Sequence, residues 1–278
     1  EKVANVWSGP TVKTRSEAPL SFAGIEDYFP DFDISLESIP AQSEFRREED
    51  YRDTSKVRKF VNIAEGCSFA CSFCHHKPGL GPRRSRPLSE IMEQVASFEN
   101  EPVDVVHLMG METGLWGIEF GQGYPDLLEA VLERNDGFEI HIAQFQPHGL
   151  KMHGERLSGL MSQRRVTDIQ IPIQSTSDRI MKMMNRKNHA EAISEHLKFI
   201  RRNNPRVVLR TDVIVGWPTE TPEERHASLQ FAAEHFDEVA VYAIELNPDL
   251  PAWQYHEEAF SAEELDRIVA SSKAFLSE

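Results

Sequence analysis

From Ser55 onward, six short apolar runs alternate with stretches of helical period, and this alternation constrains the fold more than any other feature of the chain. The runs cover residues 57–63, 103–109, 138–145, 166–173, 207–215 and 239–246. Between them, Ser89 reads as an N-cap ahead of Ile91, Val95 and Phe98 on one helical face, and Ile193, Leu197 and Ile200 share a face further on. Thr221-Pro222-Glu223-Glu224 has the form of a capping box with proline at the first helical position, and Ser261 with Glu264 has the form of another. Strand followed by helix, six times over, argues a parallel α/β sheet. Parallel barrels and open α/β sheets both put their chemistry at the C-terminal ends of the strands. The polar and special residues gather there: Cys67 after the first run, residues 110–117 after the second, Gln174 and Ser175 at the fourth, and Gly216, Trp217 and Pro218 at the fifth.

All three cysteines, Cys67, Cys71 and Cys74, lie in one C-x3-C-x2-C loop directly after the first run. Three thiolates cannot close a tetrahedral zinc site without a fourth ligand, but they suit a [4Fe-4S] cluster with one iron left open. Other readings of the same loop are a zinc site completed by His75 or His76, a redox pair with a spare thiol, and three unrelated core cysteines.

Composition narrows the class. With 278 residues, 40% of them hydrophobic, the chain can bury a substantial core as one barrel-like domain or two smaller ones. No run approaches the roughly 18 apolar residues of a membrane helix, and the N-terminus has no targeting pattern, so the chain reads as soluble and cytoplasmic, with no membrane partner. Three cysteines in one tight loop are no disulfide framework, which points to a reducing compartment. The balance of 45 acidic to 30 basic residues gives a net charge of −15, which repels polyanions and makes an extended nucleic-acid surface on this segment an unfavourable reading. Residues 1–54, interrupted by Pro10, Pro19, Pro30 and Pro40, read as a lead-in or the remnant of a preceding domain, with short apolar pieces at 3–7 and around Tyr28, Phe29 and Phe32. The barrel-type domain is expected over 55–278.

The cysteine loop, with Phe73 just before its third cysteine, resembles the cluster loop of the radical S-adenosylmethionine (SAM) superfamily. Three further stretches, residues 83–90 beginning Arg83-Arg84-Ser85-Arg86, residues 171–186 and residues 211–221, are similar to those of its methylthiotransferase branch, which modifies tRNA adenosines or a ribosomal-protein aspartate. The resemblance covers roughly residues 57–275, in one order and at similar spacing. It implies a partial (β/α)6 TIM-like barrel, a [4Fe-4S] cluster held by Cys67, Cys71 and Cys74, and SAM chelating the fourth iron. It also implies an external electron donor such as a flavodoxin or ferredoxin, and reductive cleavage of SAM to a 5'-deoxyadenosyl radical.

Carried over by position, Gln174 and Asp212 would hydrogen-bond SAM's polar groups, with Ser175 beside them, and Arg186 would pair with its carboxylate. Val215, Gly216 and Trp217, with Tyr242, would line the adenine. The plainer alternatives are a loop-satisfied strand end for Gln174, a partner of Arg210 or of a helix N-terminus for Asp212, and a helix-end cation for Arg186. Some positions depart from the family pattern. Glu112 stands in a Met111–Gly117 stretch where the family commonly has Gln followed by Asn or Asp, and it is expected to accept the SAM ammonium. Thr219 replaces a usual glycine, which implies a local change of turn. Met111, like Met152, Met161, Met181, Met183 and Met184, reads as core or pocket lining. His141, His148 and His153 read first as structural histidines, with the substrate side as the alternative. Methylthiotransferases hold a second cluster on three N-terminal cysteines, and this sequence has none left for one. Either that domain precedes Glu1, or a single-cluster enzyme acts on a small metabolite, a peptide or a protein; a non-catalytic iron–sulfur or zinc protein is the third reading.

Overall fold

The computed structural model describes residues 5–7, 56–134 and 137–277. Its centre is an eight-stranded sheet in the order β1-β8-β7-β6-β5-β4-β2-β3. The strands are β1 (Asn5–Trp7), β2 (Arg58–Glu65), β3 (Arg84–Ser85), β4 (Val105–Gly110), β5 (Glu139–Ile142), β6 (Val166–Gln170), β7 (Val208–Val215) and β8 (Glu238–Ala243). The six runs read from the sequence are β2 and β4 to β8, all parallel and laid side by side in chain order. The sheet does not close, because β1 pairs parallel with β8 at one edge and β3 pairs antiparallel with β2 at the other. This is a partial barrel. Apart from β1, the lead-in reading of residues 1–54 lies outside the described residues.

The helices are α1 (Lys77–Leu80), α2 (Leu88–Ser97), α3 (Tyr124–Glu133), α4 (Pro147–Met161), α5 (Asp178–Met183), α6 (Ala190–Asn203), α7 (Pro222–His235) and α8 (Ala262–Ser277). Their apolar stripes cover the convex face of the sheet: Ile91 and Val95 of α2 and Ile193, Leu197 and Ile200 of α6 join Val61, Ile63, Leu108, Ile140, Ile169 and Leu209 of the strands in one buried core. Both capping boxes form, Thr221 with Glu224 and Ser261 with Glu264. Ser89 is not the cap of α2. The helix starts at Leu88, two residues before the start that a Ser89 cap would give, behind Pro87, whose extended ψ of 143° sets the entry, and no side chain caps it.

Successive strand residues face opposite sides, so the other face carries a row made of Phe60, His107, His141, Asp168, Arg210 and Glu238. Phe60 stacks on His107 at 4.8 Å, His107 meets His141 edge-on at 4.6 Å, and Arg210 pairs with Asp168 at 2.7 Å and Glu238 at 3.2 Å. His141 therefore belongs to a row of side chains across the sheet face opposite the helices. Among the described residues, no helix is long and apolar enough to cross a membrane.

Candidate functional site

The cysteine loop leaves β2 through Gly66, at φ +67°, where an added Cβ would fall 2.2 Å from the Pro82 carbonyl oxygen. Only glycine fits this turn. The Cys67 N–H donates to the Gly81 carbonyl at 3.3 Å and Lys77 Nζ to the Cys67 carbonyl at 2.6 Å, while the Cys74 N–H reaches the Cys71 carbonyl at 3.3 Å. The middle of the loop is fastened across the barrel mouth. Ser72 donates its N–H to the Met184 carbonyl at 3.0 Å and its hydroxyl to Met183 at 2.8 Å, Asn185 Nδ2 donates to the Ala70 carbonyl at 2.7 Å, and the Ala252 N–H donates to the Ser72 carbonyl at 2.9 Å. Phe73 meets the Trp217 ring edge-on at 6.1 Å.

Beside the loop, the fully buried Glu112 accepts both the N–H and the hydroxyl of Ser68, one on each carboxylate oxygen. The carboxylate expected to meet SAM's ammonium thus holds the cysteine loop to the end of β4. Burial pushes the Cys67 thiol up to about 11; a Phe69 backbone hydrogen bond opposes this, and Glu112 adds to it. A cleft of about 660 Å³ opens on Cys67, lined also by Ser68, Lys77, Arg83, Leu115 and Ile118. His75 is exposed, whereas burial holds the imidazole of His76 below its ordinary range.

Arg186 Nη1 donates to the Cys71 sulfur at 3.5 Å, so the guanidinium predicted for the SAM carboxylate sits beside the thiols. Gln174 bridges β6 to β7: its N–H donates to the Asp212 carbonyl at 2.8 Å and its carbonyl accepts from Ile214 at 2.9 Å. It adopts φ +68°, a left-handed conformation costly for a non-glycine residue, and its side-chain oxygen is buried without a partner. The Asp212 carboxylate receives Gln170 Nε2 at 3.1 Å. The Ser175 hydroxyl is taken up by Ser228 at 3.2 Å and by the Ser177 N–H at 3.1 Å, stiffening the approach to α5. Val215 and Trp217 are fully buried, Gly216 turns at φ +73°, and the Trp217 indole N–H has no partner. Tyr242 and Phe73 pack on the second apolar cluster, built from Ile180, Met181, Met184, Ile214, Trp217 and Ile244. Met161 joins the main core and Met111 is half-buried, but Met152 is 43% exposed on the outer side of α4 and is not core.

Thr219 keeps the left-handed turn of a glycine, at φ +65°. Arg179 holds it there, donating to its hydroxyl and its carbonyl at 2.8 Å each, and also binds Glu224. Arg179 carried no sequence signal, and neither did Gln146, which accepts the Gly114 N–H at 3.1 Å and donates to the Met111 carbonyl at 2.8 Å.

Three soft thiols in one loop, a guanidinium against one of them and orphaned polar atoms on Gln174 and Trp217 at the neighbouring strand ends fit a cysteine-held iron–sulfur cluster with a polar nucleoside cofactor beside it. Among the described residues, no three or more of His, Cys, Asp and Glu close on a single metal ion. Fold and loop together define a class, the parallel partial barrel with a trithiol loop at the C-terminal end of its first barrel strand. The chain belongs to the radical SAM superfamily, whose family model matches residues 61–232.

Among curated proteins, the chain is 32% identical to the ribosomal protein uS12 methylthiotransferase RimO of Thermotoga maritima over 187 residues, which cover 66% of this chain and 43% of the relative. It is 26% identical to the RimO of Clostridium botulinum over 268 residues, covering 90% of this chain and 60% of that one. The chain thus spans about half the length of the curated relatives it matches. Among solved structures, it is similar to the radical SAM methyltransferase TsrM from Kitasatospora setae (TM-score 0.59, 16% identity, 74% of this chain and 40% of that one). It is also similar to coproporphyrinogen III oxidase HemN from Escherichia coli (TM-score 0.56, 20% identity, 80% and 52%). What these two share with the chain is the fold.

Proposed function

We propose that this radical SAM enzyme is of the methylthiotransferase kind, inserting sulfur or a methylthio group at an unactivated C–H bond. When bound and reduced, the [4Fe-4S] cluster supplies the electron that splits SAM into methionine and the hydrogen-abstracting 5'-deoxyadenosyl radical. Cys67, Cys71 and Cys74 would hold the cluster. Arg186 would orient the carboxylate of SAM, a fork of donors suited to two oxygens. Gln174 and Asp212 would fix its polar hydroxyls, while Trp217, Tyr242 and Phe73 keep water from the reacting end.

The observation that carries the cofactor assignment is the Arg186 guanidinium against the Cys71 sulfur, which sets a carboxylate-binding group beside the thiol loop. The likeness to uS12 methylthiotransferases supports the reaction type and favours a protein substrate over RNA. An external reductant such as a flavodoxin or ferredoxin would deliver the electron. A second reading is a single-cluster enzyme acting on a small metabolite or peptide, favoured by the confinement of all three cysteines to one loop. Mass spectrometry of ribosomal protein uS12 after incubation with the reconstituted chain, SAM, reductant and added sulfide or methanethiol as the sulfur donor tests the choice. A methylthio adduct is expected, and unmodified uS12 alongside vigorous 5'-deoxyadenosine formation would favour the second reading.

A further inference from the structure

The candidate cofactor residues and a separate cleft reach the cysteine loop from opposite ends of the sheet. Arg186 touches the Cys71 sulfur, and Gln174, Trp217 and Tyr242 stand at the ends of β6, β7 and β8. The cleft of about 660 Å³ lies at the other end of the strand order, where β4, β2 and β3 form the edge. Its walls come from the stretch 77–83, which follows the cysteines, and the stretch 115–118, which follows β4. Of the three cysteines, Cys67 lines it.

The rim of this cleft differs from the rest of the chain in charge and in polarity. The net charge is −15, yet residues 66–89 contain Lys77, Arg83, Arg84 and Arg86 and no Asp or Glu. Lys77 and Arg83 line the cleft, and Arg84 is exposed next to them. The carboxylates near this edge are Glu65, opposite Arg84 in the β2–β3 pair, Glu90, 3.9 Å from Arg86, and Glu119. Glu119 is turned inward, where it accepts from the Arg83 guanidinium at 3.0 Å and from the Ser85 N–H at 2.5 Å. Its neighbours are left facing out: Ile118 is 51% and Phe120 46% exposed, two large apolar side chains on one short turn. The Gly117 N–H donates to the Ser85 hydroxyl at 2.9 Å and ties that turn to β3. An anchored apolar pair beside a cleft, rimmed by cations, has the make-up of a protein contact.

We propose that the Cys67 cleft, with Ile118, Phe120, Lys77, Arg83 and Arg84, is the docking face for the electron carrier, a small acidic protein whose cofactor rim enters the cleft. This rests on the radical SAM reading of the same site. Electron transfer falls off steeply with distance, so the carrier must approach the cysteine loop closely, and in that reading SAM occupies the Arg186 side. Most of a chain of net charge −15 repels an acidic partner, and the cationic stretch 66–89 confines the approach to this edge. One electron leaves the carrier's reduced cofactor and is taken up at the cysteine loop; no atom is transferred.

The test is anaerobic calorimetric titration of the reconstituted, SAM-loaded chain with a flavodoxin, at low and at high salt. Saturable binding that weakens as salt is added is expected. At low salt Arg84→Glu should weaken it about tenfold and Phe120→Ser about fivefold, both on exposed side chains. Arg202→Glu, exposed on α6 away from this edge, is the control and should bind as wild type does. Wild type that does not bind flavodoxin, Arg84→Glu and Phe120→Ser that both bind as tightly as wild type, or a control weakened as much as Arg84→Glu would overturn the proposal. SAM cleavage driven by dithionite, which needs no docking, separates the two ideas: its absence in wild type strikes the cofactor reading, whereas intact cleavage without flavodoxin binding strikes only the docking face.

Discussion

Replacing Glu112 by glutamine should loosen the cysteine loop. Glu112 is fully buried, and each of its oxygens accepts one hydrogen bond from Ser68, from the backbone N–H and from the hydroxyl. A hydrogen bond to a charged acceptor contributes about 1.5–3 kcal/mol, and one between neutral groups about 0.5–1.5 kcal/mol. The amide oxygen can still accept the Ser68 N–H and its NH2 can donate to the Ser68 hydroxyl oxygen. Glu112→Gln therefore turns two bonds to a charged acceptor into neutral ones, for a net cost of about 2–3 kcal/mol. Ser68→Ala removes only the hydroxyl bond and should cost less, and because both substitutions act on the same bond the double variant should fall short of additivity by about 1 kcal/mol. Urea unfolding of the four proteins gives the cycle, and iron retained per chain after reconstitution reports the loop itself. A Glu112→Gln protein within about 0.5 kcal/mol of wild type, with undiminished iron, would refute the clamp.

Glu220 offers a pH signature. Burial raises its carboxyl from 4.5 to about 7, against the Gly216 N–H and Arg225, which lower it. The folded state then holds a proton that the unfolded state has released, so this group's effect is to reduce stability as pH rises from 4.5 to about 7. Glu220→Gln should remove that slope from the difference between the two urea midpoint curves. Glu224 runs the other way: Arg179 chiefly holds it down at about 2, giving stability present above 4.5 and lost as pH falls toward 2, and Arg179→Ala should shrink this acid limb, leaving the part owed to Thr221 and Ser177, while freeing the Thr219 turn. Gly216→Ala puts a Cβ at φ +73° and 2.4 Å from Leu265 Cδ2. It should cost about 1–2 kcal/mol of backbone strain plus a steric part, and only the steric part should be relieved by adding Leu265→Ala, as read by thermal unfolding of the pair.

The parallel sheet was legible because each strand carries apolar residues on its core face: β7, read as 207–215, forms as Val208–Val215 with Leu209, Val213 and Val215 buried, and the cap at Thr221 sits where its sequence placed it. The cysteine loop was legible because its ligands are close in sequence. What escaped depends on partners far along the chain. Ser68 and Glu112 lie 44 residues apart, Arg179 and Thr219 lie 40 apart, and neither pair has a local pattern that distinguishes it from any exposed serine or arginine. β1 and β3 are too short for a period to show, and their pairing with β8 and β2 is decided by the sheet edges. Glu112 was readable as a polar residue after β4, but its two bonds to Ser68 depend on the fold of a loop that begins after another strand.

The central claim is that Cys67, Cys71 and Cys74 hold an iron–sulfur cluster that serves SAM cleavage. The direct measurement is anaerobic reconstitution of wild type and Cys71→Ala with iron and sulfide, followed by dithionite and SAM, counting iron and assaying 5'-deoxyadenosine. The account predicts about four irons per chain and 5'-deoxyadenosine from wild type, and neither from Cys71→Ala. A wild-type chain that takes up zinc and no iron, or a Cys71→Ala chain that still cleaves SAM, would contradict it.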